Sequence, residues 1–171
     1  WGHLSLGSVP GVDATTGSLG QGLSIGLGMA VAAKRQGKNY RTFVILSDGE
    51  CDEGSIWEAV LAAPHFRLDN LVAIVDYNKI QSFGTVKEIM DLEPFAAKWS
   101  SFGWSVKEVD GHDINQIIHA LETIPFENHK PSVVIAHTIK GKGVSFMENK
   151  LEWHYKWPNQ EQYKIAMEEL K

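Results

Sequence analysis

Phe43-Val44-Ile45-Leu46-Ser47-Asp48-Gly49-Glu50 is an unbroken apolar run that stops on a polar turn, and the pattern returns at Leu71-Val72-Ala73-Ile74-Val75-Asp76-Tyr77-Asn78. A segment of helical spacing lies between the two. Short continuous apolar runs separated by a helix are what parallel strands buried on both faces look like, because crossover helices cover the sheet. Ligands of such sheets bind outside the carboxyl ends of the strands. The pattern puts Asp48 and Asn78 there, thirty positions apart. One offers a carboxylate oxygen and the other an amide oxygen. Mg²⁺ prefers this kind of partial cage, completed by a backbone carbonyl and the oxygens of a bound diphosphate. Gly49 lets the backbone come close to those phosphates.

Working outward, residues 1–16 lack periodicity and carry Gly2, Gly7, Pro10 and Gly11, so they read as a surface loop. Thr15 to Gln36 reads as a helix opened by a Thr/Ser cap and crowded with small residues, among them Gly20, Gly22, Gly26 and Gly28. Each glycine weakens a helix by roughly 1 kcal/mol relative to alanine, so close tertiary packing must compensate. Asp52 to Leu68 has helical spacing, with Pro64 breaking or kinking it near its end. A further helix is expected around Phe95–Trp99, stopped by Gly103, and then a strand over 104–109. Ile114 to Ile124 has helical spacing, Ser132–Ala136 reads as another buried strand, and a helix is expected from Pro158-Asn159 to the C-terminus. Alternation of strand and helix in this order predicts an α/β domain of three layers, helix on sheet on helix, with a mostly parallel sheet.

Bulk properties bound the reading. A chain of 171 residues suits one domain, and a formal net charge of −5 argues against a general nucleic-acid binder. No apolar stretch reaches eighteen residues, so no membrane span is expected. Cys51 is the only cysteine, which excludes an intrachain disulfide and points to a reducing cytoplasm. The chain opens at Trp1-Gly2-His3 without methionine, so the front of a longer polypeptide is expected to be absent. Six tryptophans are many for this size, and some are candidates for an interface.

The ordered set of motifs resembles one family. Asp-Gly after a strand, with Asn thirty residues on after the next, resembles the magnesium–diphosphate motif of thiamine diphosphate enzymes. Thr15-Thr16-Gly17-Ser18-Leu19-Gly20-Gln21-Gly22 and Asn78-Lys79-Ile80 resemble transketolase more specifically. His137-Thr138-Ile139-Lys140-Gly141-Lys142-Gly143-Val144 and Glu152-Trp153-His154 resemble the transketolases that are split between two polypeptides.

That resemblance implies a thiamine diphosphate-binding α/β/α fold with Mg²⁺, or Ca²⁺ or Mn²⁺ in its place, held by Asp48, Asn78 and the backbone carbonyl of Ile80. It implies that Gly17 and Leu19 wall the cofactor, that Gly49 and Glu50 lie against it, and that Asp76 supports the site from behind. A lone loop histidine such as His3 is ordinarily just solvated, but the resemblance has it face the thiazolium and the hydroxyls of a donor sugar. His154 matches a histidine at the diphosphate and reacting centre. Glu53 is explained tolerably by the helix dipole alone; the resemblance makes it an acidic residue near the subunit interface and active centre. Lys140 and Lys142 alternate with glycines, as phosphate-binding lysines or an exposed turn do, and their place at a strand's carboxyl end favours the site. His112 reads as a capping or solvated residue, and His137, inside a strand, as a satisfied core or edge histidine.

The implied activity is ketol transfer, with a two-carbon unit passing from a ketose or its phosphate to an aldose or its phosphate. The cofactor supplies the hard chemistry. The protein supplies position, electrostatics and proton transfer, with His3, His154 and Glu53 as the candidates. The chain is too short to include the pyrimidine-binding domain that activates the cofactor, so an α₂β₂ assembly with a separate pyrimidine-binding subunit is expected. Three departures from the family text are Leu4, Ser47 and Gln81-Ser82-Phe83, the last of them along the cofactor edge. A hydroxyl at Ser47 either bonds a phosphate oxygen or crowds the turn. Two other readings stand beside this one: a thiamine-dependent decarboxylase or carboligase subunit, and a degenerate subunit that binds cofactor or partner for assembly only.

Overall fold

The computed structural model describes residues 3–171; Trp1 and Gly2, expected in the opening loop, lie outside the described residues. In chain order the elements are α1 (Gln21–Arg35), β1 (Thr42–Ser47), a short 3₁₀ turn (Gly49–Asp52), α2 (Gly54–His65), β2 (Leu71–Tyr77), β3 (Ile80–Gln81), β4 (Gly84–Thr85), α3 (Val86–Ile89), α4 (Phe95–Ser101), β5 (Ser105–Asp110), α5 (Ile114–Glu122), β6 (Ser132–His137), a second 3₁₀ turn (Leu151–His154) and α6 (Gln160–Glu169). Four strands form a parallel sheet in the order β1-β2-β6-β5, while β3 and β4 form a separate small hairpin. The sheet is parallel throughout, as the apolar runs predict.

Pairing register fixes the two faces. Val44 stands beside Ala73 and Ala73 beside Val133, and Leu46 stands beside Val75 and Val75 beside Ile135. These residues pack with Leu23 and Ala30 of α1, Ile56, Ala59 and Val60 of α2, and Phe95 and Trp99 of α4 into the larger core. On the other face Val109, Val134 and Ala136 pack against Ala120, Ile117 and Leu121 of α5. The three layers are therefore present, but unevenly. The sequence reading has helices cover both faces of β1, and the structure corrects this. Phe43 is 45% exposed and Ile45 75% exposed, because β1 is an edge strand and α5 covers only the β5–β6 half of that face.

Two helix starts also differ from expectation. The first helix begins at Gln21 rather than Thr15, after Gly20 in the left-handed conformation (φ 81°), and no side-chain cap opens it. A Cβ at Gly20 would run into Ser55 and Glu53, so this turn is available only to glycine. The segment expected to be helical from Asp52 to Leu68 divides into the 3₁₀ turn and α2, with Pro64 tolerated in the last turn. At the C-terminus, α6 starts after Asn159 with a reciprocal capping box to Gln162.

Candidate active site

Parallel pairing brings three strand ends level, with Ser47 beside Asp76 and Asp76 beside Ala136. Asp48, Asn78 and the segment beginning at Thr138 all leave the sheet from this one edge. Asp48 is the only carboxylate among the described residues that is buried, at 1% exposure. Its Oδ1 accepts the Gly49 N–H at 2.7 Å and its Oδ2 the Lys79 N–H at 2.5 Å. The second bond ties the Asn78–Ile80 turn directly to Asp48. Lys79 holds a left-handed backbone (φ 67°), an unfavourable state for a residue with a Cβ, and this turn is where it is kept. The Asn78 amide oxygen accepts the Ile80 N–H at 3.0 Å and so shapes the same turn.

Burial pushes the Asp48 carboxyl up from its ordinary range, and the nearby charge of Asp76 pushes the same way; the N–H groups of Lys79 and Gly49 and the Lys140 ammonium pull it back only in part. A carboxylate so placed is short of positive charge, and a divalent cation would supply it. Both carboxylate oxygens keep lone pairs beyond their one N–H bond. Among the described residues no three His, Cys, Asp or Glu side chains gather into a cage. Asp48, the Asn78 amide and the Ile80 carbonyl are the oxygens at this edge that could hold a divalent cation together with phosphate oxygens. At Gly49 the backbone runs close against the side chain of Gln81: a Cβ there would lie 3.2 Å from Gln81 Cγ, a contact that glycine avoids. Gln81 is itself buried, and its Nε2 has no partner among the described residues.

The remaining candidate residues fall around this edge. Glu50 Oε1 accepts the Gly20 N–H at 2.8 Å, and Ser55 Oγ donates to the Gly20 carbonyl at 3.0 Å, so the 17–20 loop is pinned over the start of α2. Glu50 is thereby engaged with the chain itself. Glu53 is exposed, packs on Gly20 and makes no capping hydrogen bond at the start of α2. The His3 ring lies against Gly17, where a Cβ would come within 2.5 Å of it, and Leu19 is 54% exposed beside them. Asp76 accepts a hydrogen bond from the Thr138 hydroxyl and links β2 to the loop after β6. The charge of Lys140 acts on both Asp48 and His154, whereas Lys142 pairs with Glu148 at 3.6 Å. Ser47, the departure before Asp-Gly, uses its hydroxyl to accept the Glu50 N–H at 3.1 Å, which caps the 3₁₀ turn.

His154 Nε2 lies 3.2 Å from Ser82 Oγ, and Ser82 Oγ lies 2.8 Å from the Tyr155 hydroxyl. Burial and the Lys140 charge hold the His154 imidazole below its usual pKa. His137 pairs with Glu108 at 2.7 Å across the β5–β6 edge. His112 is exposed, yet its Nε2 accepts the Ile139 N–H at 2.8 Å and so steadies the loop that carries Lys140. The sequence places Gln81 and Ser82 along this edge without giving either a partner, and it gives Thr138 and Tyr155 no role. The sole signal for the first two is their place directly after Ile80; Thr138 is marked only as part of the His137–Val144 motif, and nothing local marks Tyr155.

The chain matches the model of the transketolase thiamine diphosphate-binding domain over residues 1–166. It belongs to that family. This transketolase-family domain is 47% identical over 169 residues to an apulose-4-phosphate transketolase subunit of Phocaeicola vulgatus, spanning 99% of the chain and 60% of that protein. It is 45% identical over 168 residues to the 6-deoxy-6-sulfo-D-fructose transketolase subunit SqwG of a Clostridium species, spanning 98% of the chain and 61% of that protein. Among solved structures it superposes on the Pichia stipitis transketolase complexed with sedoheptulose-7-phosphate with a TM-score of 0.85 and 31% identity, covering 92% of the chain and 25% of that one. The domain thus spans about 60% of the length of the curated relatives it matches.

Proposed function

We propose that the chain is the diphosphate-binding part of a split thiamine diphosphate-dependent transketolase, which moves a two-carbon ketol unit from a ketose phosphate to an aldose phosphate. A separate pyrimidine-binding subunit completes the site in an α₂β₂ assembly in the cytoplasm. The observation that carries this reading is Asp48, a buried carboxylate short of positive charge, tied by the Lys79 N–H to the Asn78–Ile80 turn. In this reading Asp48, the Asn78 amide oxygen and the Ile80 carbonyl hold Mg²⁺, or Ca²⁺ or Mn²⁺. Gly49 gives the diphosphate room, and the Lys140 ammonium offsets its charge. Gly17 and Leu19 flank the cofactor, with His3 against them, and Glu50, Glu53 and Asp76 hold the surrounding loops in place. When bound, the cofactor supplies the carbon–carbon bond chemistry. His3 and His154 orient the sugar hydroxyls and move their protons. The relatives are transketolase subunits, one for apulose-4-phosphate and one for a sulfo-sugar, and this supports both the partner and a specialised sugar.

The test is a thiamine diphosphate titration with Mg²⁺, followed by tryptophan fluorescence and calorimetry, on the chain with and without its partner subunit. Saturable, Mg²⁺-dependent binding that tightens with the partner is expected. Asp48→Ala is expected to abolish the Mg²⁺-dependent binding and leave circular dichroism unchanged. Binding by Asp48→Ala equal to the parent would overturn the metal assignment, and ketol transfer by the 171-residue chain alone would overturn the split site.

A further inference from the structure

Ser82 meets two consecutive residues more than seventy positions away, His154 and Tyr155, beside the candidate site. Ser82, in the turn between β3 and β4, stands between His154 Nε2 at 3.2 Å and the Tyr155 hydroxyl at 2.8 Å. The Tyr155 ring, largely exposed, sits edge-on to the His154 ring with centroids 4.7 Å apart, and its hydroxyl reaches back to Ser82. The other ring nitrogen, His154 Nδ1, is buried and has no hydrogen-bond partner among the described residues.

We propose that Ser82 is a positioning residue for His154, and that Tyr155 sets the direction of the hydrogen bond between them so that the imidazole proton resides on Nδ1. A phenol is the stronger donor of the two hydroxyls, so Tyr155 gives its proton to Ser82 Oγ. The single serine proton is then left for His154 Nε2, which accepts it. A neutral imidazole carries one N–H, and with Nε2 accepting, that N–H is at Nδ1. Burial and the Lys140 charge keep the ring neutral, which the arrangement requires. The unpartnered Nδ1–H is costly as it stands, and an oxygen acceptor would satisfy it. On the transketolase reading, on which this last step rests, that acceptor is a phosphate or hydroxyl oxygen of the cofactor or the sugar. Before any proton moves, His154 thus presents an oriented N–H donor.

The experiment uses the full-length protein assembled with its pyrimidine-binding partner and labelled with ¹⁵N-histidine. His154 is assigned from His154→Gln, and its tautomer is read from two-bond ¹⁵N–¹H correlations without cofactor. The Nδ1–H form is expected to dominate in the parent and to persist in Ser82→Thr. Ser82→Ala and Tyr155→Phe are expected to move the population toward Nε2–H, the form a free histidine side chain favours. A parent protein with Nε2–H, or an Nδ1–H form unchanged in Ser82→Ala, overturns the proposal. Thiamine diphosphate titration with Mg²⁺ on the same samples separates the two readings. Ser82→Ala is expected to weaken binding about tenfold, the weight of one hydrogen bond, with Ser82→Thr near the parent. Absence of binding by the parent would instead count against the cofactor reading, and the tautomer would still decide the role of Ser82.

Discussion

Asp69 shows how far a single ion pair contributes at the other end of the sheet. Partial burial works against its charge, but the Lys34 ammonium at 2.6 Å and the His129 N–H at 3.0 Å outweigh it and hold the carboxyl below its usual range. A depressed carboxyl pKa stabilises the fold above the unfolded value of about 4, and that contribution is lost as pH falls through the lower folded value. Asp69→Asn is therefore expected to lower stability at pH 7 by up to about 1 kcal/mol, since the pair is partly exposed. Thermal unfolding followed against pH should show the gap closing below about pH 4. At this scale the sequence reveals residue types at strand ends and little of their partners. Asp48 and Asn78 are legible because two apolar runs stop abruptly beside them. The Ser82–His154 contact spans 72 positions and leaves no local trace. The Ser47 hydroxyl reads equally as a phosphate ligand or as a crowded turn; it caps the Glu50 N–H instead, a choice decided by backbone geometry.

Among the elements, α1 carries its glycines for two different reasons. A Cβ at Gly26 would lie 2.5 Å from Val44 Cγ2, so the glycine lets α1 settle directly onto β1. A Cβ at Gly28 meets nothing within 4 Å. Gly26→Ala is expected to cost about 1–3 kcal/mol through overpacking, and Gly28→Ala to stabilise the helix by about 1 kcal/mol. Urea titration of the two variants would show opposite signs, and stabilisation by both would mean that helix propensity alone governs α1. The sequence marks this helix as tightly packed but cannot say which glycine touches the sheet. Its start is misread for a related reason: Thr15 and Thr16 look like caps, while the left-handed turn at Gly20 makes the break. The four strands of the parallel sheet are legible to within two residues, because continuous apolar burial is a stronger signal than a cap, while the short β3–β4 hairpin leaves no such run and is missed.

Across the whole molecule, the half-covered sheet face has a direct effect on behaviour in solution. Phe43 and Ile45 stand exposed on an edge strand whose backbone has a partner on one side only. An apolar edge of this kind is a template for pairing between copies. The 171-residue chain in isolation is expected to self-associate as its concentration rises, and Ile45→Lys to reduce this with little change in stability. Sedimentation velocity across a concentration series, with urea titration alongside, measures both. Composition and periodicity forecast three layers; they could not forecast that one layer stops halfway, since that depends on where α5 lies. The strand order β1-β2-β6-β5 also has a consequence for synthesis on the ribosome. Strand β5 is bonded only to β6, and β6 is also the strand that fills the other side of β2. At ~5–20 residues per second, β5 therefore emerges about one to five seconds before any partner exists for it. During that interval the nascent chain carries two strands that have paired and one that must stay unclaimed, and the site edge gains Lys140 and His154 only after the wait is over.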